Sequence, residues 1–225
     1  MKNIITILLV SVFSMTGFSQ ETVEKHMNDF SQIKTFDGLS VKLIKSDENK
    51  AIITGKHAKD VMFVNKKGML KIRLATPRTF NGFDTYISLY YKNIDLIDAN
   101  EGSYVFSEEV VEVLDLEIKT QEGGTVELEV NAERLNIKAV TGGIVKLKGS
   151  ANNQDVTVNS GGIYKAKECV TQQTKVSVSA GGIAKINATD IAKATVKAGG
   201  NIRIYGNPKL ADTKEVLGGT ITVVN

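Results

Sequence analysis

From about residue 115 onward, apolar or small side chains alternate with polar ones in short runs, and a glycine pair interrupts each run. The pairs are Gly123-Gly124, Gly142-Gly143, Gly161-Gly162, Gly181-Gly182, Gly199-Gly200 and Gly218-Gly219, and their first members are 19, 19, 20, 18 and 19 residues apart. With the first glycine counted as zero, position −5 reads Ile118, Ile137, Val156, Val176, Ala194 and position −3 reads Thr120, Ala139, Val158, Val178, Val196. Position +3 reads Val126, Val145, Tyr164, Ala184, Ile202, Ile221, and position +5 reads Leu128, Leu147, Ala166, Ile186, Ile204, Val223. Alternation with period two on both sides of each glycine pair predicts a strand, a bend and a strand.

Each such unit has an apolar face that it cannot bury alone, and stacking unit on unit buries it. The pattern therefore predicts an all-β protein: a right-handed parallel β-helix-like solenoid with coils of about 19 residues. The glycines fall where the chain turns a corner, which needs positive φ or close approach of backbone between coils. An antiparallel meander folded as a sandwich would also give regular short strands, but it would not require the same residue types at the same offsets.

Residues 1–19 are expected to be a cleaved signal peptide: Lys2, then the apolar run Ile4–Phe13, then the small residues Gly17 and Ser19. Residues 20–35 are read as a leader, 36–93 as an irregular β-rich cap over the first coil, and 94–225 as the Gly-Gly repeat. Within the cap, Phe36–Leu43 reads as a turn and strand with Ala51–Gly55 as its partner, and Lys66-Lys67-Gly68 reads as a hairpin turn. Glu101-Gly102-Ser103 resembles a degraded corner. No obvious cover exists for the last segment, Thr220–Asn225, so either the loop 206–212 or a second copy of the chain is expected to lie over that end.

The run Phe36-Asp37-Gly38-Leu39-Ser40-Val41-Lys42-Leu43, the segment Ile94–Ala99 and the serial Gly-Gly-Ile units at Gly142, Gly161 and Gly181 resemble the auto-transporter adhesin "head GIN" domain family of exported bacterial proteins. The resemblance covers about residues 30–225. It implies a β-helix-like fold, an exported location (periplasm, extracellular medium or cell surface) and an adhesin-like role. It transfers no catalytic or binding residues.

Composition narrows the chemistry. The single cysteine, Cys169, excludes an intramolecular disulfide and reads as a small apolar packer. His26 and His57 are far apart, and no His-x-x-His or Cys-x-x-Cys spacing occurs, so neither a zinc site nor a hydrolase triad is expected. The glycine pairs lack the following Lys-Ser/Thr of a phosphate loop. No cofactor is expected. A polysaccharide lyase on the same scaffold would need clustered carboxylates for calcium, and the candidates are Asp84, Asp95 and Asp98.

One constellation stands apart. Position +4 reads Glu127, Lys146, Lys165, Lys185, Arg203, and position +6 adds Lys148 and Lys167. Stacked in register, these six cations line one outer face. They serve either to keep a long sheet soluble or to meet a polyanion such as an acidic glycan or lipopolysaccharide. Nucleic acid is not expected as a partner, because the row lacks interleaved aromatics. The sequence reading is thus a non-enzymatic binding module for a cell-surface or anionic glycan, with no transmembrane segment in the mature chain.

Overall fold

The structure is a computed structural model that describes residues 22–75 and 82–224. The expected signal peptide lies outside the described residues. The repeat folds as a parallel β-solenoid of about seven turns. Strands β9 (Tyr104–Thr120), β10 (Thr125–Ala139), β11 (Ile144–Val158), β12 (Ile163–Ser179) and β13 (Ile183–Lys197) follow one another in the chain and pair parallel in that order. No antiparallel sandwich forms from these units.

The apolar columns of the sequence are the rungs of the core. Val126 stands opposite Val145, Val145 opposite Tyr164, Tyr164 opposite Ala184 and Ala184 opposite Ile202. All five are buried. Burial of each such side chain contributes on the order of 1.5–3 kcal/mol, which is how a protein without disulfides holds a long, thin core. Within β10, Glu133 and Arg134 are both exposed, so the inward parity shifts there and the strand bends around a second corner.

At the first four glycine corners two consecutive residues adopt positive φ, as in Thr141 and Gly142 at 48° and 73° and Ser160 and Gly161 at 48° and 73°; at the last two corners a third residue, Gly200 or Gly219, joins them. This is the twist of a tight primed turn. The corners also bond to each other. The Gly142 N–H donates to the Ser160 carbonyl at 3.2 Å and the Gly161 N–H to the Ala180 carbonyl at 3.1 Å. Asp37-Gly38 and Glu101-Gly102 share the conformation, so the corner column begins well before the first glycine pair.

The N-terminal part supplies the strands on either side of these early corners. The leader carries β1 (Val23–His26), antiparallel to β4 (Lys50–Gly55), and β2 (Gln32–Thr35), a strand of the solenoid. Strands β2 and β3 (Ser40–Lys45) form one coil, and β6 (Met69–Leu74) and β7 (Thr85–Tyr91) form another. The β6–β7 coil lies beneath the β2–β3 coil, whereas β8 (Leu96–Ala99) and β9 lie above it. The first coil in the chain is therefore the second in space. The Ala51–Gly55 segment pairs with β7, not with β3. Alternation identifies a strand and its buried face but not its neighbour, and here the neighbour arrives some forty residues later. The hairpin turn expected at Lys67-Gly68 joins β5 (Val61–Lys66) to β6, with φ of 52° and 82°.

At the other end, β14 (Asn201–Tyr205) and β16 (Thr220–Val223) extend one face, and β15 (Leu210–Val216) pairs parallel with β13. Residues from Leu210 onward are thus a strand of the last coil rather than a lid over it.

Candidate cationic face

The sheet that follows each glycine corner carries the charged row. In register it reads Glu127, Lys146, Lys165, Lys185, Arg203 and Thr222, each directly opposite the next. Neighbouring rungs lie about 4.8 Å apart. The row forms because its residues sit between inward positions: Val145 and Leu147 flank Lys146 and are buried, so Lys146 points out.

The six cations are not equivalent. Lys146 donates to the Glu127 carboxylate at 2.8 Å, and Lys148 lies 3.7 Å from Glu168. The hydrogen bond from Lys146 holds the Glu127 carboxyl below the usual range. Glu127 also accepts from the Tyr104 hydroxyl at 3.1 Å, and desolvation followed by that carboxylate pushes the Tyr104 phenol up. Lys167 does not stand opposite Lys148. A register shift between β11 and β12 puts Glu168 there, with Lys167 and Glu168 both outward. The 20-residue step in the glycine spacing marks this extra residue. Lys167 instead lies over the Tyr205 ring, 5.0 Å from its centre. Lys165, Lys185 and Arg203 make no ion pair among the described residues, and they occupy three consecutive rungs. Like charges in adjacent rungs repel, at a cost of a few tenths of a kcal/mol when exposed.

Two grooves adjoin along this face. One, of about 430 Å³, is lined by Glu127, Lys146, Lys148, Lys165, Lys167 and Lys185 among others; the next, of about 370 Å³, is lined by Ile183, Lys185, Asn201 and Arg203 among others. A larger groove of about 640 Å³ lies on another face, over Asn131, Ser150, Asn152 and Gln172. Its polar groups engage one another: Gln172 donates to Asn152 at 3.2 Å and Ser150 to Asn131 at 3.4 Å. Its charged lining is acidic, Glu112 and Glu133, where that of the cationic face is basic.

Sequence reasoning missed two features of the cationic face. The acidic partners at Glu127 and Glu168 neutralise one end of it. A second outward row, Thr125, Ile144, Ile163, Ile183 and Asn201, runs beside the cations. Shared parity with the lysines was the signal for it. Elsewhere, Asp98 is nearly buried and accepts from Lys34 at 2.8 Å and from Asn100 at 2.8 Å. Among the described residues, no group of three or more His, Cys, Asp or Glu side chains converges as a metal site would require. Cys169 is buried in β12 as an apolar packer, and burial pushes its thiol up to about 12.

The molecule is a parallel β-solenoid with a row of cations along one outer face. The family model described as "putative auto-transporter adhesin, head GIN domain" matches residues 29–208, and the chain belongs to that family. Among solved structures it is similar to a protein of Bacteroides fragilis named a putative adhesin, at 20% identity, covering 92% of this chain and 98% of that one with a TM-score of 0.83. It is similar also to a Parabacteroides distasonis protein named a putative lipid binding protein, at 18% identity over 93% and 98% of the two chains with a TM-score of 0.72. A Parabacteroides merdae protein named a putative adhesin gives 18%, 93%, 98% and 0.71. None of the curated proteins matches the chain. At these identities the likeness shows a shared fold.

Proposed function

We propose that this chain is an exported, non-enzymatic adhesin-type module that holds an anionic glycan along its cationic face. The observation that carries this reading is the unbroken register of Lys165, Lys185 and Arg203, three cations on consecutive rungs of a rigid sheet that make no ion pair among the described residues. A linear polyanion laid along the solenoid axis meets one cation about every 4.8 Å without reorganising the protein. The family's adhesin description supports a surface role. No helix among the described residues is long and apolar enough to cross a membrane.

Binding of acidic polysaccharides to the mature chain tests the proposal. Affinity is expected to fall as salt rises through the physiological range, since exposed charges are screened there. Reversing Lys165 and Lys185 to Glu is expected to weaken binding about tenfold or more. Reversing Lys175, which lies on another face 3.1 Å from Asp155, is expected to change little. Equal effects of the two reversals would sink the proposal, and calcium-dependent shortening of the polymer would replace it with a lyase.

A further inference from the structure

The isoleucines of the Gly-Gly-Ile units have no place in the core. Val145, Tyr164 and Ala184, the residues that follow them, point inward and are fully buried. Ile144, Ile163 and Ile183 therefore point outward, opposite one another on three consecutive rungs, and Ile183 is 38% exposed. The corresponding outward rows of another face are polar: Asn136, Asp155, Lys175, Lys193 in one and Lys138, Thr157, Ser177, Thr195 in the next. The cationic face thus carries an apolar outward row that this other face lacks. Each isoleucine precedes a lysine of the charged row by two residues, placing the rows about 7 Å apart. Toward the N-terminal end the same outward row carries Tyr104, whose ring stacks on Phe106 at 5.0 Å.

A strip of β-branched side chains beside a strip of free cations, on a flat and rigid sheet, has the chemistry of an acidic lipid interface. Cations meet headgroup phosphates there, and short apolar side chains enter the boundary above the acyl chains. A dissolved polysaccharide would use the cations and leave the isoleucines idle. We infer that this face has a second ligand besides a glycan: the Ile144–Ile163–Ile183 row docks it onto an anionic bilayer. The inference rests on the reading of the cationic face given above and adds the apolar half of the contact.

Vesicles of phosphatidylglycerol, vesicles of phosphatidylcholine, and soluble polygalacturonate separate the cases. The chain is expected to sediment with the first and not with the second. Ile163→Ser combined with Ile183→Ser is expected to lower phosphatidylglycerol binding about tenfold while leaving polygalacturonate binding unchanged. Lys165→Glu with Lys185→Glu should lower both. These positions face outward, and matching circular-dichroism melts establish that the variants fold. Binding to phosphatidylglycerol that ignores the serine pair, or that is no tighter than binding to phosphatidylcholine, overturns the lipid inference. Should polygalacturonate binding persist in that case, the anionic-glycan reading stands without it; loss of both removes both.

Discussion

The two glycines of a pair are there for different reasons. Gly161 has φ of 73°, and a Cβ added to it would meet nothing within 4 Å. Gly162 has ordinary φ, but a Cβ on it would lie 2.2 Å from the Ala139 carbonyl oxygen of the preceding coil. At this corner the first glycine answers a conformational demand and the second a demand for space. Gly161→Ala is therefore expected to cost about 1 kcal/mol, the left-handed penalty of an L-residue, and Gly161→Asn less. Gly162→Ala must push two coils apart and is expected to cost about 3 kcal/mol, the upper end for overpacking. Urea unfolding followed by circular dichroism measures both, and comparable losses would show that the division is wrong. Spacing alone revealed that a corner recurs; it could not divide the roles, because the crowding at Gly162 is made by a residue one coil away.

At the scale of the strand, the in-out pattern was legible wherever a coil kept its 19-residue length and failed where one did not. β12 spends its extra residue on the outward pair Lys167 and Glu168, after which Cys169 points inward. The same strand contributes Tyr164, whose buried hydroxyl donates to Gln154 at 2.6 Å; Gln154 in turn donates to Thr174 at 2.7 Å. Nothing in the sequence announces that network, since its members are 10 and 20 residues apart and meet only through coiling. Burial holds both the Cys169 thiol and the Tyr164 phenol in their neutral forms. For the thiol the folded value, about 12, lies above the ordinary 9.0. Above that ordinary value the unfolded chain has released its proton while the folded one keeps it, so stability falls as pH rises from 9 toward 12. The slope approaches ~1.4 kcal/mol per pH unit for this group. Cys169→Ala is expected to flatten the loss. Urea midpoints of both proteins at about pH 8 and about pH 10.5 check it, and identical slopes would show that the thiol does not contribute.

At the scale of the molecule, the two ends are closed by different means. The N-terminal end is covered by antiparallel strands, β4 with β1 on one side and β5 on the other, which stop the parallel ladder. Because the β2–β3 coil is held between coils that come later in the chain, this end cannot unwind one coil at a time from its N-terminal strand. At the last coil the solution is chemical. Thr213 and Glu215 fall in core columns that read Ala194 and Val196 one coil earlier. The Glu215 carboxylate turns to accept the Ile221 N–H at 2.7 Å, occupying a backbone donor of the neighbouring strand. An inward charge at a sheet end discourages edge-to-edge pairing. The sequence pattern leaves the loop 206–212 or a second copy of the chain to cover this end, and Ile221 and Val223 do extend their apolar columns there. The two features oppose each other, and Glu215 is where they can be separated. Glu215→Val restores the apolar column and frees the Ile221 N–H, so the variant is expected to associate with rising concentration while the parent chain remains monomeric. Light scattering over a dilution series decides it. A monomeric variant would show that the carboxylate is not what guards the end, and a parent chain that already dimerises would show that the exposed isoleucine and valine outweigh it.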